Sequence, residues 1–237
     1  MSELTNFYTL PGVKVFNAPS DNPEYGNKHF INIPSRILLC GSSGSMKTNT
    51  LMNMIKAMPK TFDHIILCCK SSHEPLYQWL IKKLKGNIDV YEGGDIPNLD
   101  SLEDIEGEGK KKAQILCIFD DLINDKKANE VIAEYYIRSR KVAGGCTCIY
   151  LSQNYYSIPK TIRSNSNILM LKKLSSTKDL GLILRENNLA NIDIKTFRKL
   201  YKECTEKKEN IMMILIDDNK IFKNFNCEIT PPSVDDI

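Results

Sequence analysis

Residues 36–58 read RILLCGSSGSMKTNTLMNMIKAM. A compact apolar run over residues 36–40 breaks into small residues, closes on Lys47-Thr48, and continues with Leu51, Met52, Met54, Ile55 and Met58 at helical spacing. The order is strand, loop, helix. Gly41, Ser42, Ser43, Gly44 and Ser45 let backbone N–H groups converge on anionic oxygens without side-chain obstruction. Such a loop places Lys47 at the β- and γ-phosphates of ATP and Thr48 on a magnesium ion. The pattern G-x-x-x-x-G-K-[ST] is broken once, because Met46 stands where a glycine precedes the lysine. If the loop needs a positive φ there, methionine costs about 1–2 kcal/mol. The competing reading is a Gly/Ser-rich turn with Lys47 and Thr48 solvated in the first turn of a helix.

A second stretch weighs against that reading. Residues 114–121, QILCIFDD, form an apolar run ending in two carboxylates, as a Walker B strand does. Apolar residues on both faces fit a central strand of a parallel sheet, whose carboxyl end is where such sheets bind ligands. Asp120 can hold magnesium through its water shell, and Asp121 can accept a proton from the attacking water or orient it. Alone, the motif could equally be a strand ending in a solvated turn. With the upstream loop it supplies the positioning and charge that phosphoryl transfer requires.

The remaining pattern alternates strands with helices: strands at 63–70, 88–91, 146–152, 168–171 and 211–216, helices at 74–85, 128–141, 178–186 and 194–204. This predicts an α/β fold with a mostly parallel central sheet flanked by helices. Residues 1–35, rich in Pro, Asn, Gly and Tyr, read as an N-terminal extension that packs on a neighbouring subunit. Residues 36–225 form the P-loop domain, and 226–237 an exposed tail. Residues 93–112 read as an exposed insertion, and 217–220 as a hairpin-like turn. No secretory pattern and no bilayer-length apolar run is present, so a soluble intracellular chain is expected. Six of the eight cysteines (Cys40, Cys68, Cys69, Cys117, Cys146 and Cys148) lie in or at the ends of apolar runs, consistent with free thiols in a reducing compartment. Cys146 and Cys148 lack the His cluster or second C-x-x-C that zinc requires.

Residues 146–153, CTCIYLSQ, end an apolar strand in Gln153, an amide able to bond the γ-phosphate and the attacking water. Spacing alone equally allows a surface glutamine opening the next loop. Arg138, Arg140 and Arg163 flank this strand; each is either a solvated or helix-end cation or an arginine finger acting in a neighbouring subunit.

The ordered set GSSGSMKT, IFDD, YIRSRKVAGGCTCIYLSQ and YYSIPKTIRSN resembles the FtsK/HerA superfamily, in particular the genome-packaging ATPases of large DNA viruses and virophages, including the poxvirus type. The resemblance spans about residues 33–172, and its most specific part is S-Q-N-Y-x-x-I-P-K-x-I-R-x-N. It implies a RecA-like P-loop NTPase with Lys47 and Thr48 as Walker A residues, Asp120 and Asp121 as Walker B acids, Gln153 as sensor, and Arg140 and Arg163 as the arginines of two further elements. It further implies an ATP- and Mg2+-dependent ring, pentamer or hexamer, that translocates double-stranded DNA into a preformed capsid. Capsid or vertex proteins would be its partners, host cytoplasmic assembly sites its location, and no membrane is implied. The short Asp121, where many motor ATPases carry Glu, departs from the pattern. The net charge of +3 declares no strong nucleic-acid surface on one subunit, but a ring shares the grip. Lys110, Lys111, Lys112, Lys172 and Lys173 are the candidate contacts. Two other classes remain open on the residues: a P-loop kinase or other NTPase not acting on DNA, and a DNA- or capsid-binding protein whose nucleotide site has degenerated.

Overall fold

The computed structural model describes residues 22–107, 109, 112–187, 189 and 192–230. Its strands are β1 (Arg36–Cys40), β2 (His64–Cys69), β3 (Ile88–Glu92), β4 (Ile115–Asp120), β5 (Cys146–Ser152), β6 (Ile168–Leu171), β7 (Met212–Leu215), β8 (Lys220–Lys223) and β9 (Cys227–Ile229). Its α-helices are α1 (Lys47–Ala57), α2 (Pro75–Lys83), α3 (Lys126–Arg138), α4 (Lys160–Ser164), α5 (Thr177–Glu186) and α6 (Ile194–Cys204).

All nine strands join one sheet in the order β3-β2-β4-β5-β1-β6-β7-β8-β9. The pairings from β3 to β6 are parallel, and β7, β8 and β9 add an antiparallel meander. Continuous apolar runs make sense in the parallel part because both faces are covered. Ile37 and Leu39 enter one core with Leu51 and Met54 of α1 and Tyr77 of α2. Leu38 and Cys40 enter the other, with Ile132 and Tyr136 of α3, Ile183 of α5 and Phe197 of α6. The cysteines are all free; seven are buried and Cys227 is exposed.

Strand register fixes the site. β5 lies between β1 and β4, with Cys40 opposite Ser152 and Asp120 opposite Leu151. The three strands therefore end level, and Gly41, Asp121 and Gln153 emerge side by side at the carboxyl edge. The chain runs from β1 to one side of the sheet and returns after β5 to the other, so β1 marks the switch point where open α/β sheets open a crevice.

Three boundaries differ from the sequence expectation. Residues 22–35 pack in part on the P-loop domain of their own chain: Ile31 is fully buried, Phe30 stacks on Phe222 with centroids 5.2 Å apart, and the Phe30 amide donates to the Phe225 carbonyl. Residues 1–21 of that expected extension lie outside the described residues. The expected tail contributes β9 to the sheet edge, with 231–237 outside the described residues. The expected insertion is tied down where described. A 3-10 helix, Leu99–Asp104, buries Leu99 and Leu102, Tyr135 donates to the Pro97 carbonyl, and Arg138 pairs with Asp100.

Candidate nucleotide site

At the carboxyl edge of the sheet a cleft of about 460 Å³ is lined by Gly44, Ser45, Met46, Lys47, Thr48 and Asn49 from one side and by Glu74, Leu76, Asp120, Asp121, Leu151 and Gln153 from the other. Met46 sits at the N-cap of α1 with φ 69 and ψ 39, the left-handed conformation, and makes no side-chain cap. The position normally held by glycine thus does require a positive φ, and methionine adopts it at a cost of about 1–2 kcal/mol. Gly44 is also left-handed, at φ 67, and a Cβ there would meet nothing within 4 Å. Gly41 is required for space: a Cβ would lie 2.5 Å from Lys172 Cβ and 2.6 Å from Ser45 Oγ.

The loop's donors divide into two groups. The Gly41 amide donates to Ser152 and the Ser42 amide to Lys173, so both extend the sheet rather than face a ligand. The small-residue run is expected to supply five converging positions, but Gly41 and Ser42 serve as the hinge on which the cradle is mounted. Ser43 and Gly44 form the exposed rim, and the first-turn amides of α1 have no intrahelical partners by construction. Ser45 Oγ is buried with no hydrogen-bond partner. An orphaned hydroxyl beside an open helix N-terminus fits a phosphate, whose oxygens would satisfy both.

Lys47 Nζ donates to the carbonyls of Gly41 at 2.9 Å and Ser42 at 3.4 Å. Burial lowers its pKa, opposed by the nearby Asp120, Asp121 and Glu74 carboxylates. Thr48 Oγ1 donates to Glu74 Oε2 at 3.0 Å. Tyr77, buried to 1% exposure, donates its hydroxyl to Asp120 Oδ2 at 2.7 Å. Burial pushes the Asp120 carboxyl up to about 6, against the Tyr77 hydroxyl and Lys47, which favour its charged form. The Thr48 hydroxyl and Asp120 carboxylate are hard oxygen donors suited to magnesium, which completes its shell with water and phosphate oxygens. Asp121 is exposed and leaves β4 at φ 57, a conformation aspartate tolerates. Gln153, also exposed, faces the cleft one residue past β5.

The two arginines do not join this cluster. Arg140 is exposed on the 3-10 turn Ser139–Lys141 that precedes β5; burial, and after it the nearby Arg140 charge, lowers the pKa of Arg36 at the start of β1. It lies at the amino ends of the strands, a strand length of about 16 Å from the cleft. Arg163, on α4, is a fastener. Nε and Nη2 donate to the two Glu186 oxygens at 2.9 Å, Nη1 donates to the carbonyls of Tyr156 and Ile158, and the guanidinium lies 5.3 Å from the Tyr155 ring centroid. With a side chain only 11% exposed it holds the loop after Gln153 against α5. Lys172 is 1% exposed and donates to the Lys208 carbonyl at 2.6 Å, which corrects its expected place on DNA; Lys112 and Lys173 are exposed. Lys110 and Lys111 lie outside the described residues.

Sequence reasoning missed Glu74 and Tyr77. The signal available was Glu-Pro four residues after an apolar strand, a helix start at the carboxyl edge of the sheet.

The model of a family described as Poxvirus A32 protein matches residues 23–236. The DNA packaging protein OPG160 of Vaccinia virus (strain Copenhagen) is 26% identical over 214 residues, covering 83% of this chain and 74% of that protein. OPG160 of Monkeypox virus is 27% identical over 210 residues, covering 83% and 66%. Among solved structures, the genome packaging NTPase B204 of Sulfolobus turreted icosahedral virus 2 in complex with ATP-gammaS matches with a TM-score of 0.59 at 14% identity, covering 83% of this chain and 99% of that one. Its AMP complex gives 0.58. These structural likenesses establish the shared fold.

Proposed function

Because this chain belongs to the Poxvirus A32 protein family, we propose that it is an ATP-hydrolysing motor that drives double-stranded viral DNA into a preformed capsid as a ring oligomer, a pentamer or hexamer. The observation that carries the reading is the single cleft into which the P-loop of β1–α1, the carboxylates ending β4 and the amide ending β5 all project. Relatives named for DNA packaging support the substrate.

In this reading the α1 N-terminus, Gly44 and Ser45 cradle the triphosphate, and Lys47 leaves its carbonyl partners to bond the β- and γ-phosphates. Thr48 and Asp120 would hold magnesium, which would supply neutralisation of phosphate charge. Gln153 and Asp121 orient the attacking water from the ends of the adjacent strands β5 and β4. Arg140, too far from its own cleft, serves the site of the next subunit in the ring. The Arg163 fastener keeps the Gln153 loop in register. Among the described residues no helix is long and apolar enough to cross a membrane. Work at cytoplasmic assembly sites, against capsid or vertex proteins, completes the proposal.

The test is magnesium-dependent ATP hydrolysis with and without linear double-stranded DNA, paired with ATP-driven displacement of a third strand from a DNA triplex. The expected result is stimulation by DNA together with displacement. Hydrolysis indifferent to DNA and no displacement would replace the motor with another kind of P-loop enzyme.

A further inference from the structure

Three carboxylates reach the cleft, and their settings differ. Asp120 is fixed by Tyr77 at 2.7 Å and faces Lys47 electrostatically. Asp121 is exposed at the rim, shared between the cleft and an adjoining surface hollow lined by Lys70, Lys126 and Lys127. Glu74 stands just before Pro75 at the N-cap position of α2, with φ −59 and ψ 130, yet makes no side-chain cap. Its carboxylate crosses the cleft to Thr48 instead. Glu74 and Tyr77 are three residues apart and so share one face of the first helical turn. That turn holds Thr48 with one residue and Asp120 with the other.

We propose that Glu74 is the carboxylate that takes the proton from the attacking water. The proposal rests on the hydrolytic reading above and names a residue for a step it leaves open. Proline at the first helical position pre-sets the backbone beneath Glu74, and Leu80, one turn beyond Tyr77, anchors α2 in the core. A carboxylate on a packed helix start is better pre-organised than the shorter side chain of Asp121 on an exposed turn. In the step, the water oxygen bonds to the γ-phosphorus while the bond from that phosphorus to the bridging oxygen breaks. The bridging oxygen keeps the electron pair as ADP leaves. One water proton passes to Glu74, which releases it to solvent after inorganic phosphate departs. Asp121 and Gln153 orient the water without taking its proton.

Glu74→Gln keeps an oxygen that can accept from Thr48, so the fold and the cradle are preserved while the proton acceptor is lost. The experiment compares wild type, Glu74→Gln, Asp121→Asn and Lys47→Ala for steady-state turnover, for the Kd of a fluorescent ATP analogue, and for Tm. The expected result for Glu74→Gln is a Kd within threefold of wild type, an unchanged Tm, and a turnover reduced about 100-fold or more, the range of a lost general base. Asp121→Asn is expected to lose about tenfold or less. Lys47-dependent turnover in Glu74→Gln within threefold of wild type overturns this inference and leaves the hydrolytic reading standing. Parallel loss of affinity and turnover in Glu74→Gln also overturns it, making Glu74 a binding residue. Absence of Lys47-dependent turnover in the wild type overturns both.

Discussion

Met46 concentrates the conflict between sequence and site. The backbone at the head of α1 demands φ near 69 whether or not the side chain favours it, because the loop must turn its amides inward before the helix begins. Met46→Gly relieves the left-handed strain, and at an N-cap glycine loses little. The variant is expected to be more stable by about 1 kcal/mol, raising Tm by a few degrees in a thermal melt. A Tm at or below wild type would show that packing of the methionine offsets its strain. Local sequence disclosed this position because the departure falls inside a motif whose geometry is known. It could not disclose why Gly41 is glycine: the obstacle is Lys172, which β6 brings against the loop from far along the chain. Buried in that role, Lys172 reads on paper as a basic surface residue. Glu74 was hidden similarly, since no spacing rule ties a helix-start glutamate to a threonine on another helix.

Elements that are long or uniformly apolar were legible, and those held by partners were not. β1, β2, β4 and β5 are five to seven apolar-rich residues each, and only a parallel sheet covered on both faces buries such runs. The 3-10 helix Leu99–Asp104 and strands β8 and β9 are too short to show a period, and tertiary contacts decide them. α4 reads as loop for the same reason, with proline before it and only five residues. What fixes α4 is the Arg163–Glu186 pair to α5, joined by Tyr155, whose amide donates to Asp179 at 3.0 Å. Arg163→Ala should therefore destabilise the chain by about 1.5–3 kcal/mol even as a monomer, seen in urea melts. An Arg163→Ala variant of wild-type stability that fails only in the assembled protein would restore Arg163 as a finger. The pair carries a pH signature. Hydrogen bonding from Arg163 holds the Glu186 carboxyl below its ordinary value near 4.5. A depressed carboxylate pKa contributes stability above the unfolded value and loses it as pH falls through the folded one. The Tm gap between wild type and Glu186→Gln is thus expected to be constant from pH 8 to 6 and to close below about pH 4.5. A gap that widens on acidification would contradict the pairing.

At the scale of the whole molecule, the sheet separates two functional edges. The carboxyl edge holds the cleft; the amino edge presents Arg140, exposed, beside Arg36. In the proposed ring, Arg140, which its own nucleotide cleft cannot use, would serve the site of the neighbouring subunit. Lys47→Ala and Arg140→Ala, each inactive alone, should recover measurable ATP turnover when mixed, because a site formed by the intact lysine of one and the intact arginine of the other is complete. No recovery at any mixing ratio would remove Arg140 from the trans site. If the proposed ring grips DNA, a net charge of +3 per subunit predicts an affinity that grows with assembly and falls with salt, since phosphate contacts would be pooled over subunits. The claim on which all of this depends is that the cleft between α1, β4 and β5 hydrolyses ATP. Its most direct test is the magnesium-dependent turnover of Lys47→Ala against wild type, both shown folded by their thermal melts. The expected outcome is a loss of about 100-fold or more. Full turnover in the variant would contradict the assignment of this cleft.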